Sequence, residues 1–454
     1  MKKLTRDMTE GSPAKHILAF TLPMLLGIVF QQFYSMVDSM VVGKWIGVEA
    51  IAGVGSTGSI NFMIIGFCNG LGTGFAIPVA RAFGAKDYSL LRKYVANALW
   101  LSIALCTVIT VVVTVYCSEI LVFMQTPRDI MGYAYTYIVI IFAGIPILYT
   151  YNILAAILRA LGDSKSPVYF LIIAALLNVV LDVISVVVLK MGVEGPALAT
   201  LISQLVSAIL CFIYMVKKFD ILKIKGEEWR PSKTRMVTLA SMGLPMGLQY
   251  SITAIGSVVI QTAVNTIGTA AVAAVAAGNK IAGLVVCPYD AMGSTMATFV
   301  GQNAGVGNHK RIKQGVASAM IIGCIYSVFS FGVLALFGKQ IGLWFIDAGE
   351  AAILDDVHLF LIINSATYVL LLAVNVLRFS IQGMGFSILA VAAGVLEMIG
   401  RSLIALVFVP RFGFVAACFA NSAAWVFADL FLVPAFFLCC RRLKRMIKEN
   451  RLKI

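Results

Sequence analysis

Apolar residues along this chain come in long blocks, and polar residues come in short clusters between them. The opening MKKLTRDMTEGSPAKH is polar; from Ile17 onward the chain turns apolar, and the alternation then repeats to the C-terminus. A block of roughly 18–20 apolar residues crosses a bilayer as one helix. The blocks predict twelve helices, at roughly 15–40, 48–80, 90–117, 130–158, 166–189, 195–217, 236–264, 269–300, 312–337, 356–382, 386–409 and 414–440. The longest polar stretches are the two tails and the segment around 217–235. No block is left over for a separate soluble domain.

Composition agrees with the pattern. The 454 residues are 60% hydrophobic and only 12% charged, more apolar surface than a water-soluble fold can bury. The first polar stretch carries acidic residues and no small-residue cleavage site. It is therefore expected to precede a retained first helix and not to be a secretory signal. The nine cysteines are scattered, mostly within apolar blocks, with no CxxC pair, and read as small core residues. Cys439–Cys440 beside Arg441–Arg442 reads as a plain helix end, with acylation as the alternative.

A net charge of +14 raises the question of nucleic acid, and its distribution argues against it. Of the 35 Lys and Arg, 28 fall on one side of the predicted spans: the tails, the even-numbered connections, the 217–235 segment and Arg378. Five (Lys44, Arg128, Lys190, Lys339, Arg411) fall on the other, and Lys280 and Arg401 lie within the membrane. Positive charge collects on the cytoplasmic side, so both termini are expected there, and an even number of spans follows. The basic charge reads as a topology signal and a lipid-surface contact.

The chain repeats itself. TLPMLLG (21–27) returns as GLPMGLQ (243–249), IGVEAIAGVG (46–55) as IGTAAVAAVA (267–276), and KMGVEGPALAT (190–200) as RFGFVAACFAN (411–421), at an offset of 221 or 222. Two six-helix halves of the same orientation follow, a plan used by transporters. The expected bounds are 1–216 for the first bundle, 217–235 for a basic linker, 236–440 for the second bundle and 441–454 for a basic tail.

Against this background the polar residues inside the spans need a reason, because an aspartate at a span's centre costs about 2.5–3.5 kcal/mol. In LLNVVLDVIS, Asn178 and Asp182 stand one helical turn apart on one face. At 1.5 Å per residue they lie about 17 and 22 Å along the fifth helix. Asp38 closes QQFYSMVDSM in the outer half of the first helix, or at its interface, and Thr200 lies a turn or so inside the sixth. Four oxygen-bearing side chains from three helices thus reach a similar depth. Carboxylate, amide and hydroxyl oxygens suit a hard cation such as Na⁺. Two neighbouring carboxylates also repel, so the pair can hold a proton instead. The plainer role, for Asn178 and Thr200 above all, is hydrogen bonding between helices.

The phrases TLPM, QQFYSMVDSMVVG, LRALGDSKSP, LNVVLDV and FVGQNAG, in this order and on the duplicated plan, resemble the multidrug and toxic compound extrusion (MATE) family over essentially residues 10–440. The resemblance implies an all-α protein of two pseudo-symmetric six-helix bundles around a central cleft. It also implies export of organic, often cationic, compounds in exchange for Na⁺ or H⁺. It places the family's ion-coupling residues on Asp38, Asn178, Asp182 and Thr200, an Na⁺ site in some members and a protonation site in others. Gln31, Lys280 and Asp290 are candidates for lining the substrate cleft.

The second half departs from one branch of the family, which has a carboxylate shortly after the GLP motif; here QYSITAIGSVVIQ has none, and an Na⁺ site is not expected there. Glu397 and Arg401, four apart, read as a structural ion pair. With one further offset residue Arg401 falls on the repeat position of Asn178, so a fixed guanidinium is expected where the first half admits a mobile cation. Lys280 either lines a cleft or pairs with an acid such as Asp429. Pro23, Pro78, Pro146, Pro245 and Pro288 are candidate bending points.

The reading is a cation-coupled exporter of amphipathic organic compounds, with no cofactor, no nucleic-acid partner and a monomeric state, in a bacterial inner membrane. The alternative is a lipid-linked oligosaccharide flippase of the same wider superfamily; a channel is open on composition alone. An enzyme is not expected: no HExxH or GxxxxGK[ST] occurs, and His16, His309 and His358 are far apart.

Overall fold

The computed structural model describes residues 6–347 and 349–449; Lys2, Lys3, Arg451 and Lys453 of the basic tails lie outside the described residues. Among the described residues ten helices are long and apolar enough to cross a membrane, and two bent pairs bring the number to twelve. They are α1 (Pro13–Ile46), α2 (Gly58–Gly84), α3 (Tyr88–Val115), α4 (Met131–Ala143 with Ile145–Ala160), α5 (Lys165–Val188) and α6 (Glu194–Lys218). The second half gives α7 (Lys233–Asn265), α8 (Thr269–Gly305), α9 (His309–Gly342), α10 (Ala351–Ala366 with Tyr368–Gly383), α11 (Ser387–Cys418) and α12 (Ala420–Lys448). Large apolar side chains such as Val111 and Val115 of α3, Ile325 and Val328 of α9 and Leu430 and Leu438 of α12 are exposed. Only lipid makes such a surface tolerable.

Breaks in the helices differ from expectation. Pro23, Pro78, Pro245 and Pro288 all sit inside helices that run on through them. Pro146 lies at the 48° break of α4, where it opens the second limb and its missing N–H costs nothing. Gly144 stands at that break, and a Cβ there would come within 2.1 Å of the Leu201 side chain of α6. The matching 47° break of α10 falls at Thr367 without any proline. There the Thr367 N–H bonds the Asn364 carbonyl at 3.1 Å, and the Thr367 hydroxyl lies 2.9 Å from the same oxygen, 3.3 Å from the Ile363 carbonyl oxygen and 2.8 Å from Ser422 Oγ. The helix predicted as 48–80 is likewise broken at Thr57, into Val48–Ser56 and α2.

Two compact units divide the chain: Met1–Asp7 with Leu22–Gly247, and Met8–Thr21 with Leu248–Ile454. The boundary runs at Gly247, not in the basic segment, and the N-terminal part of α1 belongs with the second unit. Inside the first unit α2 packs on α4, α4 on α6, and α6 on α5; inside the second, α8 packs on α10, α10 on α12, and α12 on α11. The sequence repeat is therefore also a repeat of packing order. Even the π-helical turns recur, at Ile184–Val188 of α5 and Ile404–Phe408 of α11.

Close backbone approach holds the first half of α7 in the first unit. Gly70 and Gly74 of α2 face Gly243 and Gly247 of α7. A Cβ on Gly70 would come within 2.5 Å of the Met246 carbonyl oxygen, and one on Gly74 within 2.5 Å of Gly243 Cα. Small residues four apart on both partners are how helices meet when no hydrophobic gain separates them from lipid.

The basic segment before α7 is equally fixed in the first unit. Arg92 of α3 grips Glu228 with two hydrogen bonds, Nε to Oε2 at 2.6 Å and Nη2 to Oε1 at 2.8 Å. The Lys225 N–H adds a third at 2.9 Å and the Ser89 hydroxyl a fourth at 3.2 Å. Asn97 Oδ1 accepts from the Ser232 N–H at 2.7 Å. In the second unit the segment before α1 is held likewise. Arg311 donates to the carbonyls of Met8, Gly11 and Glu10 at 3.0, 2.6 and 2.7 Å.

Arg92 holds the Glu228 carboxyl far below its ordinary value of 4.5, at about 2. A carboxylate with a lowered folded-state pKa stabilises the fold fully above its unfolded value and progressively less below it. Acid titration of the purified protein is expected to lower its thermal midpoint from about pH 4.5 down to about pH 2. The Glu228→Gln protein should start lower at neutral pH and fall less over that interval. Parallel curves for the two proteins would remove this role from Glu228.

Candidate ion-coupling site

The first unit brings all four predicted oxygen donors together. Asp38 is buried on α1, and Asn178 and Asp182 are buried one turn apart on α5. Thr200 of α6 is half-buried, with its Oγ1 3.4 Å from Asn178 Nδ2. The charges of Asp38 and Asp182 act on each other, so the two carboxylates are neighbours.

Three further residues complete the cluster. The Tyr137 hydroxyl of α4 hydrogen-bonds Asp38, and Tyr34 of α1 hydrogen-bonds Gln31 and Gln204. Both tyrosines feel the charges of Asp38 and Asp182. Helical spacing explains the convergence. Gln31, Tyr34 and Asp38 follow i, i+3, i+7 on α1, and Thr200 and Gln204 are four apart on α6, as Asn178 and Asp182 are on α5. Gln31 itself is exposed at the edge of the group.

Acceptors outnumber donors here. Both carboxylate oxygens of Asp182, Oδ1 of Asp38 and Oδ1 of Asn178 are buried and meet no hydrogen-bond donor. No Lys or Arg forms an ion pair with either aspartate among the described residues. An unpaired carboxylate in low dielectric costs several kcal/mol unless a positive charge neutralises it. Four unmet oxygens on two helices, with a hydroxyl beside them, suit a proton or a small hard cation.

The second unit has a different set at its polar centre. Glu397 of α11 is buried and takes a hydrogen bond from Arg378 of α10. Arg401, its predicted partner, is at 4.0 Å, with Nη1 3.5 Å from the Thr253 carbonyl oxygen. Arg378, counted from the sequence with the cytoplasmic charges, is thus a buried residue of this network. Lys280 is exposed with its ammonium 5.9 Å from the Phe345 ring centre, and it makes no ion pair among the described residues. Asp290, exposed on α8, lies within electrostatic reach of Arg378.

An all-α chain of up to twelve apolar spans, in two repeated halves and with a buried carboxylate pair on its first and fifth helices, has the build of a secondary transporter. The MatE family profile matches residues 23–184 and 245–409, and the chain belongs to that family. Its members are transporters and not enzymes. Among relatives, the probable multidrug resistance protein YoeA of Bacillus subtilis (strain 168) is 29% identical over 351 residues, 74% of this chain and 75% of the relative. The FAD transporter of Shewanella oneidensis is 22% identical, covering 78% of each chain. The outward-facing structure of a multidrug resistance MATE family transporter of the MOP superfamily superposes with a TM-score of 0.90. It is 24% identical and covers 98% of this chain and 99% of the other.

Proposed function

We propose that this transporter exports amphipathic organic compounds, cations among them, in exchange for H⁺ or Na⁺ taken up at Asp38 and Asp182. The observation that carries the reading is the Asp182 carboxylate, buried with neither oxygen satisfied and with a second carboxylate beside it. Such a pair is stable only when it holds a positive charge, so its occupancy and the packing of α1, α5 and α6 are linked. A coupling ion drives transport by binding two packings with different affinity. Asn178 and Thr200 supply the neutral oxygens around the ion, Tyr137 positions the Asp38 carboxylate, and Tyr34 ties Gln31 to Gln204.

The orientation we favour has both termini in the cytoplasm of a bacterial inner membrane. The excess of Lys and Arg on one side of the spans supports it. In that orientation the membrane potential adds about 2.3 kcal/mol per charge per 100 mV to inward cation movement. Cargo is the second part of the proposal. YoeA is named for multidrug resistance, and the more distant Shewanella relative for FAD. Drugs are our first choice because the nearer of these two relatives carries that name.

Everted vesicles test both parts. With an imposed proton or Na⁺ gradient, ethidium is expected to accumulate inside, and dissipating the effective gradient should release it. FAD in the same vesicles is the second probe. Accumulation that ignores both ion gradients would sink the coupling, and accumulation of FAD alone would sink the cargo class.

A further inference from the structure

The charged network of the second unit has members that its internal pairings leave unmet. Two guanidinium groups, Arg378 and Arg401, are buried there with Glu397. Asp429 of α12 and Asp290 of α8 both act electrostatically on Arg378, as does the Tyr250 hydroxyl of α7. Asp290 is exposed, so the carboxylates out of solvent near the two arginines are Glu397 and Asp429. Arg378 is committed to Glu397. Both oxygens of Asp429 are screened from solvent and receive no hydrogen bond, while the Nε of Arg378 and of Arg401, each on a side chain more than nine-tenths buried, find no acceptor. Unmet donors and an unmet carboxylate in one neighbourhood describe a network that can re-pair. A carboxylate screened from water with no donor on either oxygen is costly until a positive charge joins it.

We propose that Asp429 is a second exchangeable site for one positive charge, with Arg378 as its internal counter-ion. When the site is empty, Arg378 is shared between Glu397 and Asp429. When a proton or the positive group of a cargo occupies Asp429, Arg378 belongs to Glu397 alone. The groups that set the occupancy are Asp290 on α8, Tyr250 on α7, Arg378 on α10, and Glu397 and Arg401 on α11. The site shares no residue with the Asp38 cluster, and its repeat counterpart on α6 is Ala208, so it is not a copy of the first-unit site. It stands whether or not Asp38 and Asp182 couple transport.

Trp425 offers a reporter, one turn before Asp429 on α12 and packed at 6.0 Å on the Tyr368 ring. In purified full-length protein with Trp45, Trp100, Trp229 and Trp344 replaced by Phe, Trp425 emission is followed from pH 5 to 9. It is followed with and without tetraphenylphosphonium. The expected result is one sigmoidal transition. Asp429→Glu keeps it with a moved midpoint, Asp429→Asn flattens it, and Asp38→Asn with Asp182→Asn leaves it unchanged. A midpoint moved to lower pH by tetraphenylphosphonium identifies the site with cargo charge; an unmoved midpoint identifies it with the proton alone. The proposal is overturned by a flat trace in the parent protein. It is equally overturned by a transition that survives Asp429→Asn in protein eluting as the parent does.

Discussion

The Asp182→Asn protein is expected to fold, to bind its cargo and to lose uphill transport. Asparagine keeps the shape of aspartate and one of its oxygens, but it neither takes up a proton nor offers a negative charge to Na⁺. The two-state change in α1, α5 and α6 then has no ion to bias it, and a gradient across the membrane does no work through the site. One charge moving through 100 mV is worth about 2.3 kcal/mol, a cargo ratio of about fiftyfold. The ethidium ratio in everted vesicles should fall from roughly that order towards unity. Ethidium binding to the detergent-purified variant should persist. Thermal stability gives a second, independent reading. Asp182 has no donor for either oxygen, so its carboxylate strains the fold and does not support it. The variant should therefore melt no lower than the parent, the sign expected of a residue kept for function. Asp38→Asn should behave in the same way, with Tyr137 retaining one of its contacts. Retention of the full ratio by both single variants would refute the coupling role.

Glu397→Gln should have the larger effect on stability. The substitution leaves Arg378 and Arg401 buried with no carboxylate in contact, and breaking a buried ion pair by removing one partner costs about 3–5 kcal/mol. A clear drop in the thermal midpoint of the purified protein is the readout. Combining Glu397→Gln with Arg378→Met removes one of the two stranded cations and should recover part of the loss. A midpoint equal to the parent's for Glu397→Gln alone would show that Asp429 and Asp290 already neutralise both arginines.

Span count and repeat could be read from the chain because the bilayer imposes one length on every apolar block, and a duplication leaves its offset in the sequence. Aspartates at depth were legible for a similar reason: hydrocarbon makes each one costly. The three residues that complete the site were not. Tyr34 and Tyr137 look like ordinary aromatic residues of apolar helices, and Gln204 carries no charge. The spacing of Tyr34 after Gln31 and of Gln204 after Thr200 was the signal available. Arg378 was misplaced because it falls near the end of its block, where a cation usually reaches headgroups; its partner is on α11, outside any local spacing rule. The same limit made Arg401 look like Glu397's first partner, since a linear pattern displays only pairings within one helix. Proline is an incomplete guide to helix breaks: Pro146 marks one, whereas the break at Thr367 has no proline beside it.

The glycine contacts between α2 and α7 have a consequence for anyone exchanging halves between relatives. The basic stretch ahead of α7 is the obvious place to splice, yet a donor half joined there brings its own residues at 243 and 247 to face Gly70 and Gly74 of the recipient. A Cβ at 243 would come within 2.4 Å of the Phe75 ring, and one at 247 within 2.8 Å of the Phe67 ring. Hybrids spliced after Gly247 keep the recipient's own contact surface intact, and they should express where earlier junctions fail.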